Sequence, residues 1–256
     1  MTDLTPTSGT TVTSLKGIRR IGLIGALDVE VADLIAMLAG VREEQHAGLT
    51  FHVGDYGGLE CVVVKANVGK VAAACCTQLL ISELGVQAIV FSGIAGAARA
   101  DLKPGDIVIS TDTVQHDIDS TAFGLRPGEF DPPSSYSVAA DIELRRLALA
   151  AARSAEFERI KPRIFEGRIL TGDQFIVDRA RVEKLGSDFD GLAVEMEGGA
   201  VAQVCAWNRV PFVILRSISD SGDGNFDVYW DFRSVSAHNS ARVVRGLLDL
   251  LIAGDA

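Results

Sequence analysis

The sequence contains few cysteines and histidines, and neither type is spaced as metal ligands usually are. Its 256 residues include four cysteines and four histidines. The cysteines form no C-x-x-C pair, and no histidine lies near them at the spacing of a metal site. We therefore expect no metal site, and we predict that all four cysteines are reduced thiols in the core: Cys61, Cys75, Cys76 and Cys205.

Positive charge is also scarce. The chain has 24 basic residues against 34 acidic ones, which gives a formal net charge of −10. Its longest basic runs are the pairs Arg19-Arg20 and Arg145-Arg146. Because a negative surface repels nucleic-acid phosphates and anionic lipid headgroups, the composition argues against nucleic acid and membrane surfaces as partners.

Long apolar runs are missing too. No stretch approaches the roughly 20 apolar residues of a membrane span. Residues 1–19 are rich in Thr and Ser and lack the apolar segment of a secretory signal. We expect a disordered tail over residues 1–19, followed by a single globular domain over residues 20–256 in the cytoplasm.

Short apolar runs alternate with helical patterns along the rest of the chain, which predicts an α/β fold around a mainly central sheet. Strands are predicted at 21–24, 49–56, 59–65, 86–91, 107–110, 164–170, 192–196 and 210–218. Helices are predicted after the first strand and at 70–84, 139–153, 178–186, 197–207 and 234–252. The polar segment 111–137 is too long for an ordinary connection, so we interpret it as a functional or interface loop.

Acidic residues follow three of the predicted strands. Glu30 follows the first strand, Glu197 follows the strand at 192–196, and Asp220 follows the strand that contains Arg216. Ligand sites of open α/β sheets lie beyond the carboxyl ends of the strands, so these side chains are expected to meet at one rim. An arginine inside an apolar strand also needs acidic partners, because an unpaired buried guanidinium is costly.

A purely structural interpretation of each residue stays open at this point. Glu30, Glu195 and Glu197 each lie where a helix start favours a negative charge. Asp220 precedes a Ser-Gly-Asp-Gly segment and could be a turn former.

Six segments together carry a more specific pattern. They are residues 21–26 with Glu30, 68–74, 121–124, 171–176, 193–197 and 216–220. In this order and spacing they resemble the methylthioadenosine/S-adenosylhomocysteine nucleosidases, and the match runs from about residue 21 to residue 252. The resemblance implies a nucleoside phosphorylase-like fold, a single domain with a central mixed β-sheet flanked by helices.

The resemblance also implies an activity, the hydrolytic release of adenine from 5′-substituted adenosines in methionine salvage. Breaking an N-glycosidic bond requires an acid at the departing base and an activated water at the sugar. By resemblance, Asp220 is the acid that protonates the purine, and Glu30 activates the water. The reaction implied in this way needs no metal and no cofactor.

Further site residues are implied in the same way. Glu197 accepts hydrogen bonds from the ribose hydroxyls and Met196 packs on the sugar. Phe175 stacks on adenine, whose edge is read by the backbone of Ile176. The remaining binding residues are Arg216, expected to hold the water and its acidic neighbours, Ser219, which supports Asp220, and Glu195. The family forms homodimers, and Phe123 is expected to close the pocket of the partner subunit.

Two departures from the family pattern bear on the reaction, the first on how the attacking water is held and the second on the preferred 5′-substituent. Ile94 occupies a loop position that usually carries a hydroxyl residue. Several aromatic residues crowd the region of the 5′-substituent pocket: Phe226, Tyr229, Trp230 and Phe232. The preferred nucleoside could therefore also be 5′-deoxyadenosine or aminodeoxyfutalosine.

Two other functions remain as alternatives. One is a purine nucleoside phosphorylase of the same fold, although residues 26–30 contain no arginine that could grip phosphate. The other is a non-catalytic nucleoside-binding relative.

Overall fold

Ten strands and six α-helices are found in the residues that the computed structural model describes, 15–129, 136–157, 161–220 and 226–254. The strands are β1 Arg20–Gly25, β2 Ala39–His46, β3 Leu49–Tyr56, β4 Leu59–Lys65, β5 Ala88–Ala97, β6 Ile107–Gln115, β7 Val138–Ala139, β8 Ile164–Thr171, β9 Gly191–Glu195 and β10 Phe212–Asp220. The helices are α1 Asp28–Ala36, α2 Lys70–Ser82, α3 Ile142–Ser154, α4 Arg179–Phe189, α5 Gly198–Asn208 and α6 Phe226–Gly254, with a 3₁₀ turn at Thr121–Phe123.

All the strands belong to one mixed sheet. β1 pairs in parallel with β4 and β5, and β4, β3 and β2 continue outward as an antiparallel meander. On the other side β5 pairs with both β9 and β10, and β9, β8, β6 and β10 pair in turn. Five strands therefore close into a ring, and the carboxyl ends of β5 and β10 meet at one rim.

Helices cover both faces of the sheet, as the strand alternation requires. On β4, Val62 and Val64 belong to one buried cluster, whereas Cys61 and Val63 belong to the other. Successive strand residues point to opposite faces, and each fully buried aliphatic side chain contributes roughly 1.5–3 kcal/mol. Helices α2 and α5 pack on the first face, and α1, α3 and α6 pack on the second. The predicted α/β fold with a central mixed sheet is confirmed.

The strands predicted at 49–56 and 59–65 have these bounds in the structure, and they pair as an antiparallel hairpin around Gly57-Gly58. The prediction of a loop over 111–137 is wrong at its start, because β6 continues to Gln115 and pairs with β7 and β8 there. The later part of that segment forms only the short 3₁₀ turn, and residues 130–135 lie outside the described residues. The polar residues in the later half of β6 interrupt the apolar run from which a strand is predicted.

Two further predictions are corrected. Cys75 is exposed, whereas Cys61, Cys76 and Cys205 are buried thiols, because adjacent positions on α2 point in different directions. The predicted tail of residues 1–19 is packed from Leu15 onward, since the side chains of Leu15 and Ile18 join the core. Residues 1–14 lie outside the described residues.

None of the helices in the described ranges combines the length and the apolar composition needed to cross a lipid bilayer.

Candidate active site

A half-open cleft lies at the rim where the carboxyl ends of β5, β9 and β10 meet the start of α1. Eight of the ten predicted site residues line it: Glu30, Phe175, Ile176, Glu195, Met196, Glu197, Ser219 and Asp220. Arg216 is buried behind the acidic side chains, with 1% of its surface exposed. The predicted convergence of carboxylates on one rim is therefore observed.

Glu30 is held by three backbone amides from two segments of the chain. Its Oε2 accepts hydrogen bonds from the amides of Ala26, at 2.6 Å, and Leu27, at 2.9 Å. Its Oε1 accepts one from the amide of Ile94, at 2.9 Å. Burial raises the pKa of Glu30 above its ordinary value, although Arg216 and the amides oppose that shift. Glu30 is thus a helix-start acid and also a buried carboxylate aimed at the cleft.

Arg216 pairs with Glu195 inside the protein. Nη2 of Arg216 lies 2.5 Å from Oε2 of Glu195, and both side chains are almost completely buried. Oε2 of Glu195 also accepts a hydrogen bond from the Gly198 amide at 2.7 Å, and Oε1 accepts one from the Thr171 hydroxyl. Protein donors therefore engage both oxygens of Glu195, which makes it an anchor for Arg216.

An aromatic ring supports the same guanidinium. The central carbon of the Arg216 guanidinium lies 3.9 Å from the centroid of the Phe91 ring, which is fully buried. A cation over an aromatic face is stabilised by the negative potential of that face. Phe91 and Glu195 together fix the plane in which the guanidinium presents its remaining donors.

Glu197 is the second acid that faces the cleft, at the N-terminus of α5. Its Oε1 accepts a hydrogen bond from the Gly69 amide at 2.9 Å. Gly69 has a φ of 99°, a conformation that residues with a Cβ rarely adopt. Burial, together with the neighbouring charge of Glu195, raises the pKa of Glu197 to about 7.

Asp220 ends β10 beside the glycine-rich end of β5. The Ser219 hydroxyl lies 2.7 Å from Oδ2 of Asp220, to which it donates, and 3.3 Å from the carbonyl oxygen of Ala95. Asp220 pairs in register with Gly96, and a Cβ at Gly96 would lie 3.4 Å from Oδ1 of Asp220. The predicted support of Asp220 by Ser219 is present in the structure.

Aromatic side chains form the outer wall of the cleft. Tyr229 of α6 lines the cleft, and its ring meets that of Phe175 edge to face at 5.9 Å. Trp230 contacts Tyr229 at 5.2 Å and is 59% exposed. Of the four aromatic candidates for the 5′ pocket, the structure brings Tyr229 to the cleft, and the side chain of Phe226 lies outside the described part.

Phe123 lies apart from the cleft of its own chain. It belongs to the 3₁₀ turn Thr121–Phe123, it is 87% exposed, and it is absent from the described residues that line the cleft.

Three residues that sequence reasoning left without a role also shape the site. The Thr171 hydroxyl donates to Glu195 and accepts from the Gly199 amide at 2.7 Å. Gly69 contacts Glu197, and Phe91 lies against Arg216. Thr171 and Gly69 are part of the family motifs, so a role could have been sought for both, whereas Phe91 looks like an ordinary strand residue.

Comparisons with known proteins show the family to which the chain belongs. The model of the phosphorylase superfamily matches residues 20–251. A 5′-methylthioadenosine/S-adenosylhomocysteine nucleosidase of Treponema pallidum is 39% identical over 253 residues, which cover 91% of this chain and 94% of that protein.

Solved structures show the same similarity. A nucleosidase of this kind from Colwellia psychrerythraea, in complex with adenine, has a TM-score of 0.85 and 35% identity, and the match covers 92% of this chain and 97% of that one. The futalosine hydrolase of Helicobacter pylori has a TM-score of 0.84 and 36% identity, with 91% and 98% covered.

Proposed function

Because this chain belongs to the 5′-methylthioadenosine/S-adenosylhomocysteine nucleosidases of the phosphorylase superfamily, we propose that Asp220 and Glu30 carry out its hydrolytic reaction. The chain is a nucleosidase, and the activity that its relatives' names support is the hydrolysis of methylthioadenosine and S-adenosylhomocysteine. The proposal assigns the steps of that hydrolysis to residues. Its main support is that Glu30, Glu197 and Asp220 reach one cleft from three separate elements.

Glu30 is proposed to activate the attacking water. A general base works best when its pKa lies near the working pH, and burial moves the pKa of Glu30 upward in that direction. The three amides hold the carboxylate in one orientation, so a water bound to it approaches the sugar from a fixed direction. The water gives its proton to Glu30 as its oxygen bonds to the anomeric carbon.

Asp220 is proposed to give a proton to the departing purine. A hydroxyl has one proton and two acceptor lone pairs, so Ser219 can serve both forms of its neighbour. It donates to an ionised Asp220, or it accepts from a protonated Asp220 and turns its own proton to the Ala95 carbonyl. The acid therefore keeps a partner before and after proton transfer.

Glu197 is proposed to bind the ribose hydroxyls. Its carboxylate is buried, and its Oε1 is oriented by the Gly69 amide, so the carboxylate can accept hydrogen bonds from a sugar in the cleft. Met196 lines the cleft next to it and offers an apolar contact for the sugar. Phe175, with the backbone of Ile176, is proposed to hold the adenine ring.

A second candidate substrate has a specific observation in its favour. Tyr229 brings a phenol hydroxyl to the aromatic wall of the cleft, and a phenol can hydrogen-bond to a polar 5′-substituent. A structural relative of similar identity is a futalosine hydrolase. Hydrolysis of an adenosine with a large polar 5′ group is therefore the alternative that the assay below includes.

The proposal also includes a homodimer in the cytoplasm, with Phe123 reaching the partner's cleft. Phe123 and Val71 are 87% and 82% exposed, and a partner subunit that covered them would remove apolar surface from water. The described cysteines are free thiols, which agrees with a reducing compartment.

A chromatographic assay of adenine release tests the proposed function. The panel contains methylthioadenosine, S-adenosylhomocysteine, 5′-deoxyadenosine and aminodeoxyfutalosine, each with and without phosphate. We expect adenine and free sugar at the same rate in both conditions. Release that depends on phosphate and yields a sugar 1-phosphate would identify a phosphorylase, and binding without release would identify a non-catalytic nucleoside-binding protein.

A further inference from the structure

A partly buried ion pair lies just outside the cleft, between two elements that the proposed chemistry does not use. Nζ of Lys70, at the start of α2, lies 2.7 Å from Oδ1 of Asp117, which follows β6. The two side chains are 19% and 14% exposed. Neither residue is among the described residues that line the cleft.

The pair is part of a closed ring of hydrogen bonds. Oδ2 of Asp117 accepts from the Asp173 amide at 2.9 Å, and Oδ1 of Asp173 accepts from the Lys70 amide at 2.8 Å. Burial would raise the pKa of Asp117, but the hydrogen bonds from Lys70 and from the Asp173 amide lower it below its ordinary value. The ring thus joins the side chains of Lys70, Asp117 and Asp173 and two backbone amides, from three segments of the chain.

Two members of this ring, Asp173 and Lys70, lie next to residues of the proposed site in the sequence. Asp173 is two residues before Phe175, the residue proposed to stack on adenine, and Gln174 between them lines the cleft. Lys70 directly follows Gly69, whose amide donates to Glu197, the residue proposed to bind ribose. A Cβ at Gly69 would lie 3.2 Å from Oδ1 of Asp173, so the turn and the loop are in close contact.

We propose that Lys70 and Asp117 are positioning residues. They hold the adenine loop, residues 173–176, at a fixed distance from the Gly69 turn, which orients Glu197. The proposal rests on the proposed function, since it assigns the base to the loop and the ribose to Glu197. Its physical basis is that both carboxylate oxygens of Asp117 accept hydrogen bonds within the ring, one of them charge-assisted, and this favours one arrangement of the segments that the ring joins. The loop and the turn therefore keep a fixed separation, which sets the distance between the base and the ribose contacts.

Loss of the Lys70–Asp117 pair is expected to raise the pKa of Glu197, because it displaces the Gly69 amide that donates to this carboxylate. The Gly69 hydrogen bond stabilises the ionised form of Glu197, and so does Arg216, whereas Glu195 and Glu30 oppose ionisation. If the turn moves away, Glu197 loses that donor. The acid limb of the pH profile of kcat/KM then moves to higher pH.

The chain provides a matched control pair. Nη2 of Arg168 lies 2.6 Å from Oδ2 of Asp112, and these side chains are 22% and 14% exposed. They belong to β8 and β6, and neither is among the described residues that line the cleft. The control pair therefore has similar burial and similar chemistry without a connection to the adenine loop or to Gly69.

The experiment compares Lys70→Met, Asp117→Asn and their combination with Arg168→Met and Asp112→Asn, in the full chain. We expect KM for methylthioadenosine to rise about tenfold in either member of the first pair, with a smaller change in kcat. The double variant should resemble the single ones, because either change opens the same ring. Lys70→Arg should recover part of the loss, and the control variants should keep the wild-type KM and pH profile.

Hydrogen exchange provides a readout that does not depend on turnover. Exchange of the amides in 173–176 and of Gly69 should speed up in Lys70→Met and stay unchanged in Arg168→Met. If wild-type protein released no adenine, the proposed function would fail. The exchange rates would still test whether the Lys70–Asp117 pair holds the adenine loop against the Gly69 turn. Equal KM values, pH profiles and exchange rates in Lys70→Met and Arg168→Met, at similar Tm, would overturn the positioning role.

Discussion

Glu30 and Arg216 face each other across a space that is too small for a methyl group. A Cβ built on Gly93 would lie 2.7 Å from Oε1 of Glu30 and 2.7 Å from Nη1 of Arg216. Both atoms belong to buried side chains that several partners hold in place, so neither can withdraw easily. The absence of a side chain at Gly93 therefore allows the base and the cation to approach each other.

Gly93→Ala is expected to lower kcat at least about tenfold, because it displaces Glu30 or Arg216 from its hydrogen bonds. The free energy of unfolding should fall as well, by roughly 1–3 kcal/mol for an overpacked core position. Steady-state kinetics and urea denaturation measure the two effects. Gly254→Ala is the control, since no atom lies within 4 Å of its added Cβ. Wild-type kcat in Gly93→Ala would show that the two side chains tolerate separation.

Asp220→Asn is expected to lower turnover by about a hundredfold or more, because the amide has no proton to give to the purine. Nucleoside binding should change little, since the shape of the side chain and its contact with Ser219 persist. Adenine release measures the first effect, and calorimetric titration with methylthioadenosine measures the second. Asp188→Asn, on the exposed side of α4, is the control. A variant that turns over at the wild-type rate would remove the acid assignment.

Glu30→Gln is expected to stall the reaction to a similar extent while leaving ground-state affinity near the wild-type value. The amide oxygen of glutamine can still accept from Ala26 and Leu27, but glutamine cannot take a proton from water. Single-turnover measurements of adenine release, at saturating enzyme, separate this chemical step from product release. An unchanged single-turnover rate would assign the base role to another group.

Mixing Phe123→Ala with Asp220→Asn tests whether Phe123 contributes to the cleft of the partner subunit. In a heterodimer of Phe123→Ala and Asp220→Asn, one cleft would combine an intact Asp220 with an intact Phe123 from the partner. We expect the mixture to exceed the summed activity of the separate variants after subunit exchange. No gain would mean that Phe123 serves its own cleft or none, and sedimentation at the same concentration reports whether dimers were present.

The convergence of the acids could be predicted because it follows from local patterns and one topological rule. Glu30 and Glu197 lie a few residues after the ends of β1 and β9, Asp220 is the last residue of β10, and strand ends meet at the rim of such a sheet. The hairpin of β3 and β4 could be predicted because two glycines separate two apolar runs.

Other features depend on contacts that no local pattern carries. Strand β2 was missed because Arg42, Glu43 and Glu44 give this exposed edge strand the polarity of a loop. The pairing of β5 with β10, which closes the ring, joins residues that are far apart in the sequence. The contact between Lys70 and Asp117 is of the same kind, since each residue alone looks like an ordinary surface charge.

Glu197 should give stability and activity opposite dependences on pH. Burial, with the charge of Glu195, raises the pKa of Glu197 from an ordinary value of 4.5 to about 7. The folded state therefore favours the protonated form of Glu197. The resulting contribution to the free energy of unfolding is fully present below about pH 4.5 and is lost as the pH rises through about 7. Glu30, whose pKa is also raised, acts in the same direction.

Over the same interval catalysis should improve, because the ionised carboxylate of Glu197 is the form that accepts hydrogen bonds from the ribose. We expect Glu197→Gln to remove on the order of 2 kcal/mol of the fall in unfolding free energy between these two pH values, and to raise KM at the higher one. Urea denaturation across the interval measures the first effect, with Glu183→Gln on α4 as the control. An unchanged pH slope in Glu197→Gln would mean that Glu197 ionises in the folded protein as it does in the unfolded chain, and the cleft would then hold its negative charge at no cost to stability.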